Sequence, residues 1–129
     1  MAQIKIYGLR DSLNPVKERL SDVIHSCVVD ALQYPRDKRA HRFFPMSDED
    51  LFYPVGRTNR YTILEISMFE GRSVETKKSL LRLLMERIHH ECGITPNDLE
   101  ITITETPKQN WAFRGLVGDE HKLTYTVEV

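Results

Sequence analysis

Two nitrogen-bearing groups of this chain, at Arg72 and at Ala2, have the chemistry to bind and transform a small acid. Arg72 stands directly before a predicted helix. Its guanidinium and the positive end of the helix dipole would act together there on a carboxylate or carbonyl oxygen. The alternative for Arg72 is a surface ion pair with Glu70 or Glu75, which would contribute little to stability.

Ala2 is the candidate catalytic group because it could supply a free amine. A small residue after the initiator methionine usually allows removal of that methionine, which would leave a primary amine with an ordinary pKa of about 7.7–8.0. An amine of this kind at a pocket wall could act as a base or form a Schiff base. The alternative is an ordinary chain terminus without a chemical role.

A short aromatic segment could form the apolar wall of a binding site. Trp111 and Phe113 would lie on one side of an extended segment, and Arg114 beside them would add a charge to the wall. The alternative is packing at a subunit interface, where a single tryptophan often serves as an anchor. Both interpretations could hold in an oligomer whose sites lie between subunits.

One basic cluster stands next to two aromatic residues. The cluster consists of Arg36, Lys38, Arg39, His41 and Arg42, and Phe43 and Phe44 follow it. Such a segment can bind single-stranded nucleic acid, but 18 Lys and Arg against 19 Asp and Glu give a net charge of -1, which argues against a nucleic-acid partner. The commoner interpretation is a solvated turn, part of which could face a pocket mouth and attract anionic substrates.

The sequence predicts neither a metal site nor a bound cofactor. His25 and Cys27, like His90 and Cys92, are two residues apart on predicted helices, so the members of each pair point to different sides. The glycine-containing stretch 115–120 lacks both the Gly-x-Gly-x-x-Gly pattern and the Lys-Ser/Thr pair of phosphate-binding loops.

Length and composition are those of an ordinary globular domain. A chain of 129 residues with 40% hydrophobic and 29% charged residues is large and apolar enough to form one folded core. It has no apolar run near the ~20 residues that cross a bilayer, and its N-terminus lacks the features of a signal peptide. We therefore expect a cytoplasmic protein with no membrane partner and with reduced cysteines.

The first group of elements that must position these residues begins almost at the chain terminus. Ile4-Lys5-Ile6 alternates apolar and polar side chains like a half-buried strand, and 8–12 is predicted to be a turn. Asn14-Pro15 then predicts the start of a helix whose apolar face runs from Val16 to Leu32. A short strand at about 41–45 completes this first unit.

The second group repeats the plan of the first. A strand over 61–68 precedes a helix that Ser73 would cap and that Gly93 would end, and a strand over 99–105 follows. Pro35 and Pro96 stand at equivalent turns, with an offset of 61 residues between the units. Such a repeat of β-α-β units largely determines the fold.

The repeat predicts a single α+β domain over 1–129, with a four-stranded sheet and two antiparallel helices on one face. The two units cover about 2–46 and 61–105, and 47–60 is a long loop between them. In the extension 106–129, we expect a loop-like segment over 107–118 and a last strand over 123–129. The uncovered sheet face predicts an oligomer.

The order and spacing of these elements and of four short motifs resemble the tautomerase superfamily over nearly the whole chain. The motifs are Glu70-Gly71-Arg72-Ser73, Val28-Val29-Asp30-Ala31, Cys92-Gly93-Ile94-Thr95-Pro96-Asn97-Asp98 and Trp111-Ala112-Phe113. The superfamily includes macrophage migration inhibitory factor, and the resemblance is closest to its malonate semialdehyde decarboxylase-like branch. The resemblance implies an α+β fold that assembles as a homotrimer.

The resemblance also implies a chemistry in which an N-terminal proline acts as base or acid and arginines bind the substrate. Arg72 matches the arginine that follows the strand of the second unit. This chain departs from the pattern at three places. It has Ala2 in place of proline, Phe69 where a second arginine stands, and Lys38, preceded by Asp37, where the decarboxylase branch has an acidic residue.

The sequence therefore predicts a cofactor-free keto–enol tautomerase that acts on a small oxo or enol carboxylate. The residues expected to bind this substrate are Arg72, Arg114, Trp111, Phe113 and Lys38. The alternative is a small-molecule-binding or regulatory homologue that keeps the fold without the chemistry.

Overall fold

Alternating apolar side chains form four strands of one sheet in the computed structural model, which describes residues 2–129. The strands are β1 (Ala2–Leu9), β2 (His41–Met46), β3 (Thr62–Phe69) and β4 (Leu99–Thr106). They lie in the order β2-β1-β3-β4. β1 is parallel to β2 and antiparallel to β3, and β3 is parallel to β4. This is the sheet that the repeated β-α-β units predict.

Two long helices cover one face of the sheet. They are α2 (Lys17–Leu32) and α3 (Val74–Cys92), and a short helix, α1 (Arg10–Leu13), precedes them. As predicted, Ser73 caps α3, because its hydroxyl oxygen accepts a hydrogen bond from the Thr76 amide at 3.1 Å, and Gly93 ends the helix with φ 70°. Helices and strands share a core in which the following side chains are at most 1% exposed: Ile4, Ile6, Leu20, Ile24, Leu64, Leu80 and Leu84.

The first long helix begins later than the sequence predicts. β1 continues through Leu9, and α1 then forms one helical turn that places Leu13 in the core, at 2% exposure. α2 starts only at Lys17, so Asn14-Pro15 lies in the connection between the two helices instead of at the first helical position. The prediction failed because burial of Leu13 adds a turn of helix directly after the strand.

The prediction of a strand over 123–129 is wrong, and that of a loop over 107–118 is wrong in part. A small hairpin, β5 (Ala112–Phe113) and β6 (Leu116–Val117), forms inside the latter segment. In 123–129 the alternation marks inward-pointing side chains without a strand. Val127, 1% exposed, packs beside Gly71, and the Val129 main-chain oxygen accepts a hydrogen bond from the Ser73 amide at 3.0 Å.

The second face of the sheet carries no helix within residues 2–129. Its side chains are half-buried or exposed and include Gln3, Lys5, Tyr7, Arg42, Phe44 and Glu65. The rings of Tyr7 and Phe44 stack there with centroids 4.8 Å apart. In the described chain, β2 and β4 are also outer strands with a free edge. The open face and free edges are consistent with the expected oligomer.

A polar cluster around His41 joins the outer strand β2 to α2. The His41 Nδ1 lies 2.8 Å from the Ser21 hydroxyl, and the ring meets His25 edge-on at 6.2 Å. Arg39 is close by and pairs with Asp22 at 2.7 Å. Burial, reinforced by Arg39 and His25 and opposed by Asp22, lowers the pKa of His41 to about 4.

This cluster predicts a loss of stability in acid. The unfolded chain protonates His41 near pH 6.5, whereas the folded chain resists protonation until about pH 4. The free energy of unfolding should therefore fall as the pH is lowered through this interval, by roughly 2–3 kcal/mol from this group. Urea denaturation of wild type and His41→Gln at pH 7, 6, 5 and 4 measures the difference. Identical pH dependence in the two proteins would contradict the prediction.

Candidate active site

A cavity of about 250 Å³ opens at the end of the sheet where β1 begins. Its walls come from the start of β1, the turn after α2 and the hairpin β5–β6. The lining residues are Ala2, Tyr34, Asp37, Lys38, Arg39, Ala40, Phe113 and Arg114. Four of the residues predicted from the sequence therefore meet at one place: Ala2, Lys38, Phe113 and Arg114.

A larger groove lies between α2 and α3 but lacks these groups. Its volume is about 710 Å³, and its lining is mostly charged: Pro15, Glu18, Arg19, Asp22, Val23, Ser26, Arg87 and Glu91. We take the smaller cavity as the candidate site, since it joins a main-chain nitrogen, cationic side chains and an aromatic ring.

Ala2 lies at the inner wall of the cavity and is 6% exposed. Its nitrogen donates a hydrogen bond to the Tyr34 hydroxyl at 3.2 Å. Burial raises the pKa of Tyr34, while the hydrogen bonds from Ala2 and Tyr125 act in the opposite direction. Tyr34 was not among the site residues predicted from the sequence; a tyrosine before Pro35, in the turn that carries Lys38, was the available signal.

The turn that follows α2 and the tip of the hairpin β5–β6 give the cavity its charge. Among the described residues that line it, Lys38, Arg39 and Arg114 are cationic, and Asp37 is the one carboxylate. Arg39 forms an ion pair with Asp22 at 2.7 Å. Lys38 and Arg114 are therefore the cationic side chains that could bind an anion in the cavity. A surplus of positive charge in a concave site attracts anions.

Arg114 is held in an unusual backbone conformation at the tip of the hairpin. Arg114 and Gly115 form the two-residue turn between β5 and β6, with φ values of 52° and 79°. A turn with both φ angles positive is typical of such hairpins, but its first position favours asparagine, aspartate or glycine. Arginine in this conformation is strained, and strain of this kind is concentrated at functional sites.

The hairpin is supported from two sides. On one side, the rings of Phe113 and His121 stack at 3.9 Å, and the His121 Nε2 lies 2.6 Å from the Phe113 carbonyl oxygen. On the other, Trp111 packs edge-on against Phe69 at 5.2 Å, and its indole N–H donates to the Thr106 hydroxyl at 2.5 Å. Trp111 therefore supports the wall that Phe113 forms and is not among the residues that line the cavity.

Arg72 is buried, at 4% exposure, and is not among the residues that line the cavity. Its Nη1 donates to the Phe69 carbonyl oxygen at 3.2 Å, whereas its Nε and Nη2 have no hydrogen-bond partner among residues 2–129. Burial lowers the pKa of Arg72, against the opposing influence of Tyr125 and Tyr34. The ion pairs with Glu70 or Glu75 that the sequence left open are not formed in the described chain.

The two unpartnered atoms of Arg72 are the pair that binds a carboxylate side-on. The N–H bonds of Nε and Nη2 run parallel and match the two oxygens of a carboxylate. Tyr34 and Tyr125, whose rings meet edge-on at 4.9 Å, are the neighbours of this guanidinium. The predicted anion-binding arginine is thus separate from the cavity, and Tyr34 is common to both.

No group of three or more His, Cys, Asp or Glu side chains suited to a metal ion occurs within residues 2–129. Both cysteines are buried free thiols, and burial raises the pKa of Cys27 to about 11. None of the helices described is both long and apolar enough to cross a membrane.

Comparison with known proteins finds similarity to tautomerases. The model of a family described as "Tautomerase enzyme" matches residues 38–114. A relative named "Probable tautomerase YrdN", from Bacillus subtilis (strain 168), is 34% identical over 101 residues. The match covers 74% of this chain and 78% of the relative.

Solved structures share the fold at low sequence identity. A crystal structure of malonate semialdehyde decarboxylase superposes with a TM-score of 0.79 at 22% identity, covering 89% of this chain and 93% of the other. A fused 4-OT, described as a symmetric trimer, superposes with a TM-score of 0.77 at 16% identity, covering 91% and 96%.

Proposed function

This chain belongs to the tautomerase family, and we propose that it is a cofactor-free keto–enol tautomerase of a small oxo or enol carboxylate. The observation that carries the proposal is the convergence of the Ala2 nitrogen, Lys38 and Arg114 on one cavity of about 250 Å³. A molecule with one carboxylate and one carbonyl group fits both the size and the charge of this site.

In the proposed reaction, the substrate carboxylate binds Arg114 and Lys38 at the cavity mouth, and Phe113 contacts its apolar part. The amine of Ala2, free once the preceding methionine is removed, takes the proton of the enol hydroxyl group. The same proton returns to the adjacent carbon, so that the enol becomes the ketone and the amine is regenerated. No atoms are gained or lost, in agreement with a reaction that needs no cofactor.

Arg72 and Trp111 have different parts in this proposal. The Arg72 Nε and Nη2 supply a second site for a substrate oxygen, provided that Tyr125 and its segment make room for it. Trp111 acts indirectly: its ring packs against Phe69, and Phe69 in turn packs against Phe113 in the cavity wall.

We further propose that 1–129 folds as a single domain, assembles as a homotrimer and acts in the cytoplasm. The open sheet face and the free edges of β2 and β4 support self-association, and a solved relative of the same fold is described as a symmetric trimer. Two buried free thiols suit a reducing compartment.

Ketonisation of arylenolpyruvates, followed by ultraviolet absorbance, tests the activity. We expect a saturable rate for wild type and no measurable rate for Arg72→Ala, purified identically, because the variant lacks the guanidinium that supplies the second site for a substrate oxygen. A rate that persists in Arg72→Ala would point to a contaminant or remove Arg72 from the site. A wild-type rate no higher than that of buffer would contradict the activity on this substrate class.

The second candidate function is a binding or regulatory protein that has lost the chemistry. It is favoured by Ala2 in place of proline and by Phe69, fully buried, in place of a second arginine. Intact mass distinguishes the two candidates, because a retained Met1 leaves no amine on Ala2. Saturable binding of an oxo acid without turnover would support the second candidate.

A further inference from the structure

The Ala2 nitrogen retains one degree of freedom when it becomes a terminal amine. β1 pairs Ala2 with Met68 in β3, and the Ala2 residue is 6% exposed, so its Cα and methyl group are fixed by the sheet. Rotation about the N–Cα bond remains. This rotation decides whether the nitrogen lone pair faces the cavity, where a substrate proton would be taken up.

Tyr34 is the side chain that meets this nitrogen. Its hydroxyl oxygen lies 3.2 Å from the nitrogen and accepts a hydrogen bond from it. With one N–H bond directed at Tyr34, the lone pair of the amine is left for a substrate in the cavity, which Lys38, Phe113 and Arg114 also line.

Tyr34 is itself held firmly enough to act as a fixed acceptor. Gln33 ends α2 with φ 53°, and the Tyr34 amide donates to the Val29 carbonyl oxygen at 3.2 Å. The Tyr34 ring is 5% exposed and meets Tyr125 edge-on at 4.9 Å. Since burial raises the pKa of Tyr34, the group stays a neutral phenol near pH 7.

We propose that Tyr34 is the positioning residue of the site, and that its hydroxyl oxygen orients the Ala2 amine so that the lone pair faces the substrate. This inference rests on the proposed function and assigns a role to a residue that the sequence pattern did not single out. Tyr34 contacts the amine nitrogen but takes no part in the proton transfer itself. It acts through the amine, and its loss should change the behaviour of that amine.

Tyr34→Phe is the test, because phenylalanine keeps the ring that packs on Tyr125 and removes only the hydroxyl. We expect kcat for arylenolpyruvate to fall about 10-fold with little change in KM, since a loosened amine reaches the productive geometry less often. A hydrogen bond that the amine donates favours its charged form. The acid limb of the kcat/KM profile should therefore move down by up to about one pH unit in the variant.

Tyr61→Phe is the matched control. Tyr61 is also 5% exposed, but it lies just before β3, at the opposite end of that strand from Met68, the partner of Ala2. We expect the control to keep the wild-type kcat and pH profile. Melting temperatures of both variants show whether they are folded.

Should Tyr34→Phe fail to fold, fluorotyrosine at position 34 is the second variant. It keeps the ring and the hydroxyl group but makes the hydroxyl oxygen a weaker hydrogen-bond acceptor, so it should shift the pH profile in the same direction.

A second readout separates this inference from the proposed function. The rate at which acetic anhydride acylates the Ala2 amine, measured by mass spectrometry across pH, gives the amine pKa without any substrate. A lower amine pKa in Tyr34→Phe than in wild type supports the role of Tyr34 even if no tautomerase activity is found. Equal pKa values overturn it, and so does an equal kcat in an active enzyme.

Discussion

Extra residues ahead of Ala2 are expected to lower the tautomerase rate at least 100-fold. An extension converts the Ala2 amine into an amide, which has no basic lone pair, and it leads a peptide chain past Tyr34 and the cavity. General-base catalysis typically contributes a factor of about 10²–10⁴, and this contribution would be lost.

A cleavable extension makes this experiment reversible. The same preparation is assayed for arylenolpyruvate ketonisation before and after a protease cuts directly in front of Ala2, and intact mass confirms both states. Activity should appear on cleavage, while the melting temperature remains similar. Equal rates before and after cleavage would mean that the Ala2 amine is not the base.

Arg114→Asn is expected to separate activity from stability. Asparagine adopts positive φ angles more readily than arginine, so the turn at the tip of the hairpin should lose strain of about 1 kcal/mol. The substrate carboxylate loses a bidentate partner at the same time. A hydrogen bond to a charged group contributes about 1.5–3 kcal/mol, so kcat/KM should fall by about 10- to 150-fold.

The measurements for this prediction are kcat/KM and the free energy of unfolding in urea. Arg114→Lys is the matched variant, because it keeps the charge and the strained turn but lacks the planar pair of donors. We expect Arg114→Asn to be the more stable of the two and the less active. A wild-type kcat/KM in Arg114→Asn would remove Arg114 from the site, and a lower stability would refute the strain interpretation.

The sequence predicted the sheet and its two long helices because their signals are local. Ser73 and Gly93 mark the ends of α3 chemically, and the repeat of the β-α-β unit supplied the topology. The errors arose where tertiary contacts override local patterns. Leu13 reaches the core through an extra helical turn, and the alternation in 123–129 reflects inward packing of Val127 in a segment that pairs with no strand.

The candidate site was partly predictable for a similar reason. Lys38 was expected in the turn after the first long helix, Phe113 and Arg114 were expected in the segment after the second unit, and the structure brings all three together with Ala2. The position of Arg72 was not predictable, since its burial depends on 125–129, a segment more than 50 residues away in the sequence. The contact of Tyr34 with Ala2 spans 32 residues and leaves no local pattern.

The unpartnered Nε and Nη2 of Arg72 offer a route to the natural ligand that does not require the reaction to be known. Buried hydrogen-bond donors without partners destabilise the folded state. An oxyanion that binds these donors stabilises the folded state by mass action and therefore raises the melting temperature. At a concentration 100 times its Kd, such a compound adds about 2.7 kcal/mol, which corresponds to a rise of about 10 °C in Tm for a domain of this size. The Tm of the protein, measured with a fluorescent dye in the presence of each member of a collection of metabolic oxo acids, would then rank these acids as candidate ligands.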